Sequence, residues 1–324
     1  MKELLALLVA VSIVCSSCSS DSDNLRDYKA DMRDFVIGIS EYAKTEQEGF
    51  IIIPQNGIEL VTTTGDEDAA LATDYLNAID GHGQEDLFYG YDLDNVATPS
   101  SEREYLQVFL DKSHDNGNQI LVTDYCSSPT NMTNSYSVNE ADGYVSFAAN
   151  ERELNNIPTF PSTIHNENAN EVLSLNEVQN FLCLINPENF ADKASFISAV
   201  TTTNYDLIIM DLFFHDGTEF TSSETTQLRQ KANGGSRLVV SYMSIGEAED
   251  YRFYWQSSWS SNSPAWLKAQ NPDWPGNYKV EYWDSDWQQV IYGNNSSYLQ
   301  KVLNAGFDGV YLDIIDAYEY FEGE

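Results

Sequence analysis

Carboxylates recur where apolar runs stop. Leu207-Ile208-Ile209-Met210 runs into Asp211, and Val239-Val240-Ser241-Tyr242 leads to Ser244-Ile245-Gly246-Glu247-Ala248-Glu249. Val310-Tyr311-Leu312 ends on Asp313, with Asp316 close behind it. Val122-Thr123 reaches Asp124, and the Gly81-His82-Gly83 turn leads into Glu85-Asp86. An ionised carboxylate at the end of a buried strand is costly unless it is paired or used. Its ordinary use is to cap the next helix. Several converging on one rim, with Arg252 the nearest cation, suit paired acid/base chemistry, a hard metal ion or a cationic substrate. All six tryptophans (Trp255, Trp259, Trp266, Trp274, Trp283 and Trp287) fall in the stretch that follows, among Ser, Asn, Pro and Gly. Such rings either fill the space beneath an irregular loop or stack on the C–H faces of sugars whose hydroxyls or amines the acids hold.

The elements that must position these residues alternate. Short β-branched or aromatic runs at 50–53, 84–88, 119–123, 144–148, 181–185, 207–213, 237–241, 278–282 and 309–314 read as strands. Helical patterns separate them at 25–44, 101–115, 193–200, 222–232 and 287–304. The first places Leu25, Tyr28, Met32, Phe35, Val36 and Ile39 at helical spacing; Ser222-Ser223-Glu224 caps another, which Gly234-Gly235 ends. Alternation of this kind predicts an α/β fold with a parallel sheet, and the length fits a single (β/α)8 barrel of the TIM type. Nine strands exceed eight, so 144–148 or the less apolar 278–282 must lie outside the ring. In such a barrel the chemistry gathers at the C-terminal strand ends, where the carboxylates are. Residues 62–73, 127–142 and 151–171 read as long polar loops. The order of elements is unusual: a helix comes first, and the last strand has almost no chain left for a covering helix. The helix at 25–44 is expected to fill that vacancy.

The chain has 324 residues, with 16 Lys+Arg against 51 Asp+Glu for a net charge of −35. Such a surface repels phosphate backbones, which argues against nucleic acid as a partner. A hydrophobic fraction of 42% and an aromatic fraction of 13% can fill a core, so the charge does not imply disorder. The first residues carry an apolar run from Leu4 to Val14, too short to cross a bilayer, and then Cys15-Ser16-Ser17-Cys18-Ser19-Ser20. This resembles a bacterial lipoprotein signal, and the expected division is a signal peptide at 1–17, lipidated Cys18 with an acidic tether at 18–24, and one domain at 25–324. Cys15 departs from the usual Leu, which keeps ordinary secretion as the alternative. Cys126 and Cys183 read as buried thiols rather than a bridge. The four scattered histidines and the cysteines show no zinc spacing, and neither metal nor cofactor is expected.

Three blocks carry a family resemblance: Asp211-Leu212-Phe213, Ser244 through Arg252, and Gly306-Phe307-Asp308-Gly309-Val310-Tyr311-Leu312-Asp313-Ile314-Ile315-Asp316-Ala317-Tyr318. They are similar to glycoside hydrolase family 114, the endo-α-1,4-polygalactosaminidase-like TIM barrels, some once described as cysteinyl-tRNA-synthetase-related. Pro272-Asp273-Trp274-Pro275-Gly276-Asn277-Tyr278, Tyr282-Trp283, Phe50 through Gly57, Ala78 through Gly81 and Glu85 through Tyr89 extend the resemblance. In the usual family order the blocks at 50–89 follow the block at 306–318. Here they precede it, so the resemblance implies a circularly permuted barrel. It also implies hydrolysis of α-1,4-linked galactosamine-rich polysaccharide. Asp211 matches the strand-end aspartate taken as catalytic, Glu249 and Arg252 match the Glu-Asp-aromatic-Arg block, and Asp313 and Asp316 match the late aspartates. Where other members carry Gly-Glu before an aromatic, this chain has Gly276-Asn277-Tyr278, so the second carboxylate must come from elsewhere.

The expected catalytic pair is therefore Asp211 and Glu247, with Glu85 as the other source of a second acid. Glu249, Arg252, Asp313, Asp316 and Glu85 are expected to bind substrate, and Tyr242, Trp274 and Trp283 to line the groove. The expected protein is an exported, lipid-anchored glycosidase on the outer membrane or surface of a Gram-negative bacterium, touching the membrane only through its lipid. Its expected partner is a polysaccharide, including a cationic amino-sugar polymer that the acidic surface would attract. A non-catalytic glycan-binding lipoprotein on the same scaffold is the main alternative, and a metal-dependent hydrolase the third.

Overall fold

The computed structural model describes residues 26–323; the apolar segment at 4–14, Cys18 and the tether at 18–24 lie outside them. In chain order the elements are α1 (Tyr28–Glu46), β1 (Ile51–Pro54), α2 (Thr73–Ala78), β2 (Gly81–Glu85), α3 (Ser100–Asp115), β3 (Gln119–Tyr125) and α4 (Pro129–Ala141). β4 (Val145–Ala149), β5 (Phe181–Cys183), α5 (Lys193–Thr201), β6 (Leu207–Asp211), α6 (Ser222–Leu228) and β7 (Leu238–Ser244) follow. The last are β8 (Glu247–Glu249), β9 (Leu267–Gln270), β10 (Asn277–Val280), α7 (Ser285–Ile291), α8 (Tyr298–Asn304), β11 (Gly309–Asp313) and α9 (Tyr318–Glu322).

The fold is mixed α/β with two parallel sheets, one ordered β1-β11-β7-β6-β5 and the other β2-β3-β4. The sheets adjoin at both edges. A parallel bridge from Gln55 to Gly83 joins β1 to β2, and β4 lies against β5, with the Phe147 and Phe181 rings 5.8 Å apart. Ile51-Ile52-Ile53 and Leu207-Ile208-Ile209-Met210 are apolar throughout because these strands are covered on both faces. Register then sets heights. Asp211 pairs with Tyr242 and Tyr242 with Tyr311, whereas Asp313 stands one pleat higher, opposite Ser244.

α1 shows how local sequence feeds this arrangement. Asp27 accepts from the Ala30 amide at 2.8 Å and caps the helix. Met32, Phe35, Val36, Ile39 and Ala43 form its fully buried stripe, which packs toward α2, α8 and α9. Full burial of each large side chain contributes roughly 1.5–3 kcal/mol.

One open alternative is resolved and three expectations change. Residues 144–148 belong to the parallel β4, whereas 278–282 overlap β10 in a separate antiparallel sheet ordered β8-β10-β9. The second strand is Gly81–Glu85 rather than 84–88; Gly81 and Gly83 disguise it, yet a Cβ on Gly83 would run into the Tyr311 hydroxyl. Residues 127–142, expected as a loop, form α4. Ser128 caps it with Pro129 in the first turn, but its inward Ser135 and Asn139 hydrogen-bond Asp124, so no apolar stripe reveals it. The single helix expected at 287–304 is two, α7 and α8, broken near Gly293 at φ 92°.

Below the strands, Lys231 and Asp206 form a fully buried ion pair of 2.5 Å. Asp206 also accepts from Asn168 at 2.8 Å and from the Gln179 amide at 3.0 Å, tying the long segment before β5 to the base of β6. Removing one partner of such a pair strands a buried charge. Lys231→Met is expected to lower unfolding free energy by about 3–5 kcal/mol, read from the urea midpoint; a loss within experimental error would refute that role.

Candidate active site

A cavity of about 460 Å³ opens at the C-terminal ends of the parallel strands. Asp211 reaches it from β6, Tyr242 from β7, Asp313 from β11 and Glu85 from β2, while Glu249 comes from β8 and Asp316 from the turn after β11. Trp274 is exposed at its lip. These seven, with Arg252, are expected site residues that the fold does bring together.

Arg252 organises one wall. Its Nη2 lies 2.7 Å from Asp211 Oδ2 and its Nη1 donates to Asp211 Oδ1 at 2.9 Å. Its Nε donates to Glu249 Oε2 at 2.5 Å, and the Tyr251 hydroxyl donates to the other Glu249 oxygen at 2.6 Å. The rings of Phe213, Tyr251 and Tyr298 surround the guanidinium at 5.3–5.6 Å. Burial pushes the Asp211 carboxyl above its usual range and the Arg252 charge pulls it back, while the two carboxylates hold Arg252 well above an ordinary arginine.

The opposite carboxylates have no such partner. Among the described residues no Lys or Arg lies within ion-pair distance of Asp313, Asp316 or Glu85. The Tyr242 hydroxyl donates to Asp313 Oδ2 at 2.6 Å, and Glu85 accepts from Tyr125 and from Asn56. Burial raises Asp313 to about 7, opposed by the Tyr242 bond and reinforced by Glu85 and Glu249. Asp316 is also raised to about 7, by burial first and the neighbouring Asp313 second. Between them Ile314 adopts φ 59°, a conformation costly for a β-branched residue. A Cβ on Gly246 would strike the Ile314 carbonyl oxygen, so glycine there lets the loop after β7 press against this turn.

The structure places two expected residues elsewhere. Glu247, expected as a catalytic partner, is fully buried and does not line the cavity. Lys279 lies 2.8 Å from it, and Asn271 and Asn277 donate to it at 2.8 and 3.2 Å, so it braces β8 against β10. Trp283, expected in the groove, packs instead between Tyr28 and Phe321 with Arg26 over its ring. Trp255, Trp259, Trp266 and Trp287 form a chain of ring contacts 5.0–5.1 Å apart, the packing use of tryptophan weighed above. Asp124 accepts the Phe88 and Tyr89 amides as well as Ser135 and Asn139, and is a structural anchor. Cys126 and Cys183 are free and buried, the latter at the cavity wall.

Sequence reasoning missed Arg152, Tyr125 and Asn56 at the cavity. Arg152 stacks 3.8 Å above the Tyr125 ring and bonds Asp86 at 3.0 Å and Asp94 at 2.8 Å, linking the loops after β2 and β4. Burial lifts Asp86 to about 6 against the pull of Arg152. Arg152 lies in a polar loop without periodicity, and no local pattern marks it; Asn56 follows a strand in a Pro-Gln-Asn-Gly run that a turn-residue scan flags.

A strand-end cavity walled by carboxylates defines a class, the α/β proteins that bind or process a polar ligand at the C-terminal rim of parallel strands. Residues 184–324 match the model of glycoside-hydrolase family GH114, a family of TIM barrels and glycosidases. Similar uncharacterized proteins occur in Deinococcus radiodurans, 44% identical over 123 residues, covering 38% of this chain and 37% of that one. A protein of Methanocaldococcus jannaschii is 42% identical over 125 residues, 39% of this chain and 34% of its own. One of Thermotoga maritima is 38% identical over 125 residues, 39% and 37% of the two chains. The chain thus spans a little over a third of the length of these relatives. The matched segment contains Asp211, Glu249, Arg252, Asp313 and Asp316; Asn56, Glu85, Tyr125 and Arg152 lie before it.

The raised carboxyls link pH to stability. Asp313 titrates near 7 when folded but near ~3.9 when unfolded, so the folded state holds the extra proton between these values and stability falls as pH rises through them. Asp313→Asn removes that liability, which is worth on the order of 4 kcal/mol. The variant should therefore match the wild type in urea at pH 4 and exceed it at pH 8; equal midpoints at both would contradict the assignment.

Proposed function

We propose that this cavity hydrolyses glycosidic bonds. One observation carries the reading: carboxylates paired with a cation, Asp211 and Glu249, face Asp313, Asp316 and Glu85, which among the described residues form no ion pair, in one cavity with an exposed tryptophan at its lip. Glycoside hydrolysis needs that division between an ionised and a protonated acid. Asp211, whose charge Arg252 sustains, is the carboxylate that meets positive charge developing at the anomeric carbon. Trp274 offers a sugar-stacking face, and Glu85, Glu249 and Asp316 hold hydroxyls or amines.

The scaffold in this reading is a closed (β/α)8 barrel formed by β1–β7 and β11. It is circularly permuted, so that α1 supplies the helix otherwise placed after β11. The Gln55–Gly83 bridge and the contact of β4 with β5 support closure. The substrate class is an α-1,4-linked galactosamine-rich polysaccharide, supported by the match to GH114 at 184–324 and by the acidic cavity. Export as a lipoprotein anchored through Cys18 to an outer membrane or cell surface rests on the sequence at 1–24 alone.

A glycan-binding role without turnover draws on Asn277, which faces the cavity where the family pattern carries Glu. Incubating the purified protein with galactosamine-containing and neutral polysaccharides separates the readings. Shortened products are expected, with Asp211→Asn about 10²–10⁴-fold slower. Binding without cleavage would establish the second reading, and unchanged cleavage by Asp211→Asn would remove this residue from the chemistry.

Charge steering predicts a salt effect. Raising ionic strength from about 0.01 to 0.15 M shortens the Debye length from ~30 to ~8 Å. The kcat/KM on de-N-acetylated polymer should fall across that range while that on its fully N-acetylated form stays level. A parallel response would leave the net charge of −35 without a role in substrate capture.

A further inference from the structure

We propose that Asp313 is the proton donor of this site, positioned by the Tyr242 hydroxyl and working opposite Asp211; this rests on glycoside hydrolysis occurring at the cavity. The carboxylate earlier expected to share the chemistry, Glu247, is sealed behind Lys279, Asn271 and Asn277. Asn277, at the family's glutamate position, cannot donate as an acid. A donor must therefore come from the cavity's remaining carboxylates, and geometry sorts them. Asp211 and Glu249 are both paired with Arg252, so neither is free of a cation. Both oxygens of Glu85 already accept from side chains, Oε1 from Tyr125 and Oε2 from Asn56. Asp316 lies beyond the left-handed Ile314, on the turn rather than on the strand end.

Asp313 differs from all of these. It ends β11, and β7 separates it from Asp211 on β6. Two strand spacings put those backbones about 10 Å apart, from which inward side chains approach one sugar from two sides. The groups around Asp313 are the Tyr242 hydroxyl from β7, Glu85 from β2, Glu249 from β8, Cys183 from β5, Tyr311 from its own strand, Asp316 from its own turn and the Ile314 backbone, which hydrogen-bonds it. None is a cation, and three are carboxylates, so the neutral form is favoured, in agreement with its rise to about 7. In the step assigned to it, the Asp313 carboxyl gives its proton to the glycosidic oxygen as the C1–O bond breaks. The bonding pair leaves with that oxygen, which departs as the hydroxyl of the next sugar. Water later supplies the hydroxyl at C1 and a proton that restores Asp313, so one water is consumed per bond.

The test compares leaving groups. On phenyl α-galactosaminides, whose departure needs a proton, Asp313→Asn should lower kcat/KM at least ~100-fold. On the 2,4-dinitrophenyl counterparts, which leave unaided, the same variant should lose less than about tenfold. Asp211→Asn should lose activity on both. Tyr242→Phe removes a bond that holds the Asp313 proton affinity down, so the alkaline limb of its pH profile should move to higher pH. Equal losses of Asp313→Asn on the two substrates, or an unmoved alkaline limb in Tyr242→Phe, would overturn the assignment while leaving hydrolysis itself standing. A wild type inert on both aryl glycosides and on polysaccharide would instead bring down hydrolysis, and this assignment with it.

Discussion

Arg252 lets two carboxylates, Asp211 and Glu249, coexist in a buried wall. Without it, burial and the neighbouring Glu249 would raise the Asp211 carboxyl further. The guanidinium is planar and bidentate toward Asp211 and reaches Glu249 through Nε, a geometry that a lysine's point charge could not reproduce. Three aromatic rings fix it from the other directions and exclude water from its flanks. The cavity's charge division follows from this one side chain. Arg252 opposes the burial that raises the Asp211 carboxyl, whereas across the cavity burial, reinforced by neighbouring carboxylates, raises Asp313 and Asp316 to about 7.

That division depends on register. The parallel pairing of β6, β7 and β11 sets Asp211 level with Tyr242 and lifts Asp313 one pleat above it. A slip by one residue would turn each inward side chain to the helix layer. Gly83 and Gly246 guard the arrangement from two sides, one making room for Tyr311 and the other for the strained turn at Ile314. The strain at Ile314 separates Asp313 from Asp316, so local backbone energy is spent where it positions carboxylates.

Much of the fold was legible because parallel strands covered on both faces read as apolar runs. Seven of the eight parallel strands among the described residues were found within a few residues of their ends. β2 was displaced, since Gly81 and Gly83 carry little strand signal, and α4 was hidden, since its inner face hydrogen-bonds Asp124 instead of packing hydrocarbon. At the cavity, strand-end position placed Asp211 and Asp313, while Glu85 was read from the turn at Gly81–Gly83. The same rule misled for Asp124 and Glu247, because a chain pattern shows that a carboxylate ends a strand but not whether amides or a lysine already occupy it.

The sequence by itself determined the alternation of strands and helices, the acidic character and the concentration of acids at strand ends, all of them properties of neighbours along the chain. Tertiary structure decided which acids share a cavity, which have a cation and which do not. Arg252 lies 41 residues from Asp211 and Arg152 lies 66 from Asp86, and neither separation leaves a local trace. Proton affinity in a buried site depends on distance through space and on lost solvent, and those exist only once the strands are in register.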